Sequence, residues 1–372
     1  MTKKQILRCI SFFVCVVILV LSLCDLFELD NTSNFNKRYE TFRDFPEDTV
    51  DAVILGTSGI DRYWIPSLGY EQHGLTVYPL SIDAFPSWLY KYAIEEALDY
   101  QEDIELFIID VRAFTQSNTN IDTMDTRARR FLDVLPPFSM NRIMACFTTM
   151  KIRDDVDNAA SLLDLSYLFP IIKFHGKWAD DDYLVSNNWS NTPHEFLGYH
   201  ILTKQTVRPN PQVSIGYDPE YYRDLDKYSE QALYDLIDLI REKNLNVLFL
   251  DTPKVFNKKE MGRTNTIYKI LKEEKMNLVH FYDPEAENTF TVDLDLNTDF
   301  YNAGHVNFYG AQKFTKVFGD YLVENYNLAD HRKDEHIKEN WDGVHERLLD
   351  KIAELEEARR LRLEEANEEA AE

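Results

Sequence analysis

The chain has 372 residues, of which 44% are hydrophobic and 28% charged, and its formal net charge is −24. That length holds one large α/β domain or two modest ones, and the composition is that of a folded protein with a sizeable core. The negative charge argues against nucleic acid as a partner, because docking on phosphates needs clustered Lys and Arg.

The first predicted element is apolar. Residues Cys9 to Cys24 carry no charge, Lys3, Lys4 and Arg8 precede them, and Leu26 and Phe27 follow. The run is slightly short of the roughly 20 residues that cross a bilayer, and snorkelling by Arg8 together with the apolar flanks extends it. Positive charge before the run predicts a cytoplasmic N-terminus and an external body. A cleaved signal peptide is the alternative. The lack of a small-x-small cleavage site favours a retained anchor over residues 1–27. Residues 28–49 then read as a polar tether.

From residue 50 the pattern alternates. VDAVILG (50–56) and LTVYPLSI (75–82) read as strands, 88–100 as a helix and IELFIIDV (104–111) as a third strand. Residues 226–241 place their apolar positions on one helical face, NVLFLDT (246–252) is a fourth strand, 264–275 a helix, 277–282 a fifth strand and 308–324 a last helix. Short apolar strands alternating with helices predict an α/β fold whose parallel sheet is covered on both faces. The body spans 50–330. Its stretch 115–225 breaks the rhythm and reads as an insertion, either a cap over a substrate groove or a separate structural lobe. Asp180, Asp181 and Asp182 within it are read as solvated, so no metal is assigned. Residues 331–372 form an acidic amphipathic helix. From 334 onward it carries fourteen acidic and six basic residues, a net −8. Packing back on the domain, self-association as a short coiled coil and docking of a partner are all open to it.

Three of the four cysteines, Cys9, Cys15 and Cys24, lie in the apolar run; the fourth, Cys146, reads as a core residue. Neither a disulfide framework nor a metal spacing is present, and no cofactor is called for.

Ligands of an open parallel sheet bind beyond the carboxyl ends of its strands. The first strand is followed by Gly56-Thr57-Ser58-Gly59, the second by Ser81 and Ile82, and the third by Asp110, Arg112 and Thr115. The fourth is followed by Asp251, and after the fifth comes a loop with Asp299, Asn302 and His305. Ser58 and His305 thus reach one edge of the sheet. Such a pair suits nucleophilic catalysis, in which the imidazole removes the hydroxyl proton and returns it to the leaving group. Gly56 and Gly59 suit a tight turn. If Ser58 opens a helix, its own N–H points at an arriving oxyanion.

These residues carry a resemblance. AVILGTSGIDRYWIP resembles the first block of SGNH (GDSL) hydrolases, which holds the nucleophile. DFYNAGHVNFYGAQKFTKVFG resembles their last block, which holds an acid and the catalytic His. The likeness covers about residues 50–325 and is tight only at its two ends. It implies a three-layer α/β/α, flavodoxin-like fold. It is nearest the anchored extracytoplasmic subgroup of the D-alanine transfer protein and the alginate O-acetylation proteins. By that resemblance the chain is a serine esterase or O-acyltransferase on a cell-wall or exopolysaccharide substrate, beside a membrane-bound O-acyltransferase. The alternative is an inactive binding or assembly protein of the same fold.

Three departures qualify the likeness. The family's acid stands three residues before His, where this chain has Asn302; Asp299 stands six before. Asn orients an imidazole without stabilising its charge, a change that costs a serine protease about 10⁴ in kcat. Asp299 is therefore the preferred third member, with Asn302 the other. The second-block glycine is missing, which leaves the backbone N–H of Ser81 or Ile82 as oxyanion donor. Arg112 stands where the family has an oxyanion-binding Asn. It either holds an oxyanion or substrate carboxylate, or makes a structural ion pair with Asp83 or Asp110.

Overall fold

The computed structural model describes residues 2–26, 34–118, 120–157, 164–177, 194–204, 218–255, 257–280 and 291–369. Helix α1 (Lys3–Leu26) is long and apolar enough to cross a membrane, and it is exposed along its length up to Leu19, with Cys24 near its end buried. The body is mixed α/β. Strands β1 (Ala52–Leu55), β2 (Val77–Pro79), β3 (Leu106–Asp110), β4 (Val247–Leu250) and β5 (Asn277–Val279) form a parallel sheet in the order β2-β1-β3-β4-β5. Ala52 pairs with Val77 on one side and Leu106 on the other, Phe107 pairs with Val247, and Leu248 with Asn277.

Every strand residue from β1 to β4 is buried, which explains the continuous apolar runs. Alternate residues point to opposite faces. Val53, Leu55, Phe107, Ile109, Val247 and Phe249 join one apolar cluster, and Ala52, Ile54, Leu106, Ile108, Leu248 and Leu250 join the other. The first cluster receives α2 (Asn34–Asp44), α4 (Tyr90–Tyr100), α5 (Ile121–Leu132) and α6 (Met140–Asp157). It also receives α8 (Lys227–Glu242) and α9 (Lys258–Glu273). The second receives α3 (Pro66–His73) and α10 (Phe308–Asn325). The described residues also include a short helix, α7 (Pro170–Lys173), and a two-strand antiparallel hairpin, β6 (Phe300–Asn302) and β7 (His305–Val306).

Capping explains one boundary difference. Helix α9 begins six residues earlier than the apolar pattern predicts. Asn257 caps it, accepting from the Glu260 N–H at 2.9 Å, while the Glu260 carboxylate accepts from the Asn257 amide.

The expected tether at 28–49 is corrected. Residues 34–44 form α2, and Arg38, Tyr39 and Phe42 are fully buried. The segment 34–44 looked polar because only two of its buried residues, Tyr39 and Phe42, are apolar, the others being Arg38 and Thr41. The Arg38 guanidinium donates to the Gly198 carbonyl at 2.9 Å and to the Ser81 hydroxyl at 3.1 Å, and pairs with Asp61 at 3.4 Å. Residues 27–33 lie outside the described residues.

The C-terminal helix is two helices, α11 (Glu335–Trp341) and α12 (Val344–Glu369), broken where Gly343 takes φ +70°. Of the three roles open to this segment, packing back on the body is the one observed. Trp341 stacks on Phe45 with centroids 6.0 Å apart, and Ile337, Val344, Leu348 and Ile352 are buried. Within the insertion, α5 and α6 pack together and α6 lies on α4, whereas Asp180, Asp181 and Asp182 fall outside the described residues. Cys146 is buried, with its thiol against the Tyr167 carbonyl.

If α2 belongs to the core, Phe42→Ala leaves a cavity against Tyr78. Denaturant unfolding should then show a loss of about 3–5 kcal/mol. A tether residue would show almost none.

Candidate active site

The strand order places β1 between β2 and β3, so the chain leaves β1 toward one side and returns to the other. Loops diverging at such a switch point leave a crevice at the carboxyl edge. Ser58 follows β1 there and Arg112 follows β3.

Ser58 and His305, 247 positions apart, meet in this crevice: Ser58 Oγ lies 2.8 Å from His305 Nε2. On its other side the ring places Nδ1 2.8 Å from Asn302 Oδ1. The same amide oxygen accepts the Gly304 N–H at 2.9 Å, which fixes which end of the Asn302 side chain faces the ring. An oxygen facing Nδ1 requires the proton on Nδ1. Nε2 is then unprotonated and free to accept the Ser58 hydroxyl proton.

Asp299, the preferred third member, is not in this line. Its carboxylate accepts from the Asp295 N–H at 2.8 Å, the Thr298 hydroxyl at 3.2 Å and the Lys313 ammonium at 2.7 Å. Asp299 therefore fastens the loop ahead of the hairpin to α10, and among the described residues it is Asn302 that bonds Nδ1 and orients the imidazole. The usual register of three residues is retained, with an amide in place of the acid.

The oxyanion expectations change as well. Ile82 N–H is spent on the Gly56 carbonyl at 3.1 Å, continuing the sheet pairing, so it cannot serve a substrate. Ser81 is fully buried, and its carbonyl and hydroxyl both accept from Arg38, while its backbone N–H, the donor expected, has no acceptor among the described residues. Ser58 does not open a helix. Turns run from the nucleophile to Tyr63 before α3 starts at Pro66, with Ile60 N–H bonded to the Thr57 carbonyl at 3.0 Å. Among the described residues, the Ser58 N–H has no acceptor, which leaves it available to a developing oxyanion.

Arg112 has neither of the predicted ion-pair geometries. Asp83 pairs with Arg62 at 3.2 Å, and Asp110 accepts the backbone N–H of Arg112, not its guanidinium. The guanidinium instead donates to the Gly304 carbonyl at 2.7 Å and faces Glu260 at 3.9 Å. It is wedged between Gly59 and Gly304. A Cβ on Gly59 would lie 2.7 Å from its Nη1, and one on Gly304 would lie 2.4 Å from its Nη2. Those glycines are the neighbours of Ser58 and His305, so Arg112 ties the Ser58 loop to the His305 loop. Behind them Asp110, fully buried at the end of β3, accepts the Thr57 hydroxyl at 3.3 Å. Lys254 is buried between Asp251 at 3.0 Å and Glu260 at 3.1 Å.

The charges acting on the His305 ring are positive. Burial first, then the Arg112 and Arg62 guanidinium groups, pushes the His305 pKa from its usual 6.5 down to about 3. His200, whose N–H donates to the Asp61 carbonyl at 3.0 Å, is lowered to about 4 by burial and the same kind of neighbours. The sequence reads Arg62 as a salt-bridge partner of Asp61, which it meets at 3.6 Å, and His200 as an ordinary histidine; Arg38 has no local signal, because nothing local marks a residue that joins a site through tertiary packing. Among the described residues no group of His, Cys, Asp and Glu has the arrangement of a metal site.

No protein-family model matches the chain, and no curated protein matches it. The functional reading therefore rests on the geometry above.

A base with a lowered pKa stays unprotonated at lower pH. Reaction of Ser58 with a fluorophosphonate should hold level from pH 8 to 5, where an ordinary imidazole is half-protonated near 6.5. Asn302→Asp sets a carboxylate against Nδ1, favours the imidazolium, and should raise the acid limb by about 1–3 pH units. Rates measured across pH for both proteins check the two shifts.

Proposed function

We propose that this chain is a membrane-anchored, extracytoplasmic serine esterase or O-acyltransferase of the SGNH type, with that family's three-layer α/β/α fold. Its acyl donor or acceptor is a cell-envelope polysaccharide. The observation that carries the reading is the relay Ser58 Oγ, His305 Nε2 and Nδ1, Asn302 Oδ1, with both steps at 2.8 Å. The strand order β2-β1-β3-β4-β5, with the serine after β1 and the histidine just before the last body helix, supports the fold assignment.

In the first half-reaction the Ser58 oxygen attacks the acyl carbonyl carbon as its proton passes to His305 Nε2. The carbonyl oxygen gains the negative charge, opposite the Ser58 N–H and in the field of Arg112. Collapse expels the alcohol, which takes the proton back from Nε2 and leaves the acyl group on Ser58. In the second half, water or a sugar hydroxyl attacks that ester and gives its proton to Nε2, and collapse expels the Ser58 oxygen, which takes that proton back from Nε2. Water gives hydrolysis; a sugar hydroxyl gives transfer. Ser58 and His305 are both partly exposed, which suits an acceptor presented on a polymer. Helix α1 favours a substrate close to the bilayer.

One observation favours a second reading. Asn302 carries no charge to stabilise an imidazolium, as expected of an SGNH-fold protein retained for binding or for assembly with a membrane-bound O-acyltransferase.

Labelling with a fluorophosphonate probe separates the two. The esterase reading expects a covalent adduct on Ser58 that Ser58→Ala abolishes, while Asp299→Asn still labels. A wild-type protein that stays unlabelled beside a reactive control hydrolase supports the assembly reading instead.

A further inference from the structure

Helix α1 does not end in free space. Cys24 is only 2% exposed, α1 packs against α7, and Leu21, Ser22 and Cys24 line a crevice with Pro137 and Phe138. The lobe built from α5 to α7 therefore begins where the apolar helix finishes.

An apolar stripe starts at the same place. Met140, Met144 and Phe147 lie at i, i+4 and i+7 on α6, one face of that helix. They are 70%, 47% and 46% exposed, while Ala145, Cys146 and Met150 on the other face are buried. Leu165 and Ile172 of the same lobe are also exposed. The next residue along the stripe is Lys151, likewise exposed. Exposed apolar side chains scattered singly need no explanation, but a continuous row of them marks a contact surface.

We propose that this face of the lobe rests on the lipid surface, with the first half of α6 lying at the boundary of acyl chains and headgroups beside the exit of α1. The inference rests on the reading of α1 as a membrane anchor. Lipid is the occupant argued for because the stripe continues from a helix apolar enough to span a bilayer. The sequence of side chains also fits: two methionines and a phenylalanine nearest that helix, then a lysine whose ammonium can reach the headgroups. Such seating fixes the body against the membrane by a second contact, so that the crevice at Ser58 keeps one orientation to it.

The test uses the full chain reconstituted in phosphatidylcholine and phosphatidylglycerol vesicles. A diazirine amino acid replaces Val14, Met144, Phe147 or Val323 in turn, and adducts are read by mass spectrometry after illumination. Val14 reports the anchor. Val323 is 49% exposed on α10, across the sheet, and serves as the control. Lipid adducts at 144 and 147 should come within about threefold of position 14 and exceed position 323 by about tenfold. Lipid at 14 but none at 144 and 147 overturns the proposal and leaves the anchor standing. Chain-to-chain adducts at 144 and 147 overturn it in favour of a second copy. No lipid at position 14 removes the anchor reading and the proposal together.

Discussion

The site depends on how a four-residue hairpin tip, Asn302 to His305, is held. Loops of three parallel strands grip it. The Val255 N–H, beyond β4, donates to the Ala303 carbonyl at 2.8 Å. Arg112, beyond β3, donates to the Gly304 carbonyl at 2.7 Å. Ser58, beyond β1, meets His305 itself at 2.8 Å. Asp299 adds a fourth hold through Lys313 of α10. A Ser–His contact across 247 positions is only as exact as the backbone on either side, and here that backbone is fastened at each residue that matters.

Electrostatics explain how the His305 ring stays neutral with an amide in the third position. A carboxylate beside the ring would raise its pKa. Here Asn302 orients it without charge, and burial with Arg112 and Arg62 keeps it neutral. The cost falls on the transition state, where the imidazolium lacks a counter-charge. The gain is on the acyl side, since the same guanidinium favours negative charge near Ser58. Under the proposed esterase or acyltransferase function, this arrangement weakens the base and strengthens the oxyanion environment, a balance suited to an activated acyl donor rather than a stable amide.

Much of this was legible in the sequence. Continuous apolar strands gave the parallel sheet, and a parallel sheet puts the ends of β1 and β3 at one edge. Ser58, Arg112 and His305 could therefore be placed together with no knowledge of contacts. Two errors have a common cause. Asp299 looked like the better partner by chemistry, and residues 34–44 looked like a tether by composition. In each case the direction of a side chain decided the matter. Asp299 points to Lys313, and Arg38, Tyr39 and Phe42 point inward from α2. The break at Gly343 was legible only as a glycine, because its positive φ and the docking of Trp341 on Phe45 and Tyr70 belong to the tertiary structure.

The most direct measurement is intact-protein and peptide mass spectrometry after brief mixing with p-nitrophenyl acetate. The account predicts a single acetyl group on the peptide containing Ser58, formed by the wild type and lost in Ser58→Ala and His305→Ala. An absent adduct, or one that persists in Ser58→Ala, would contradict it.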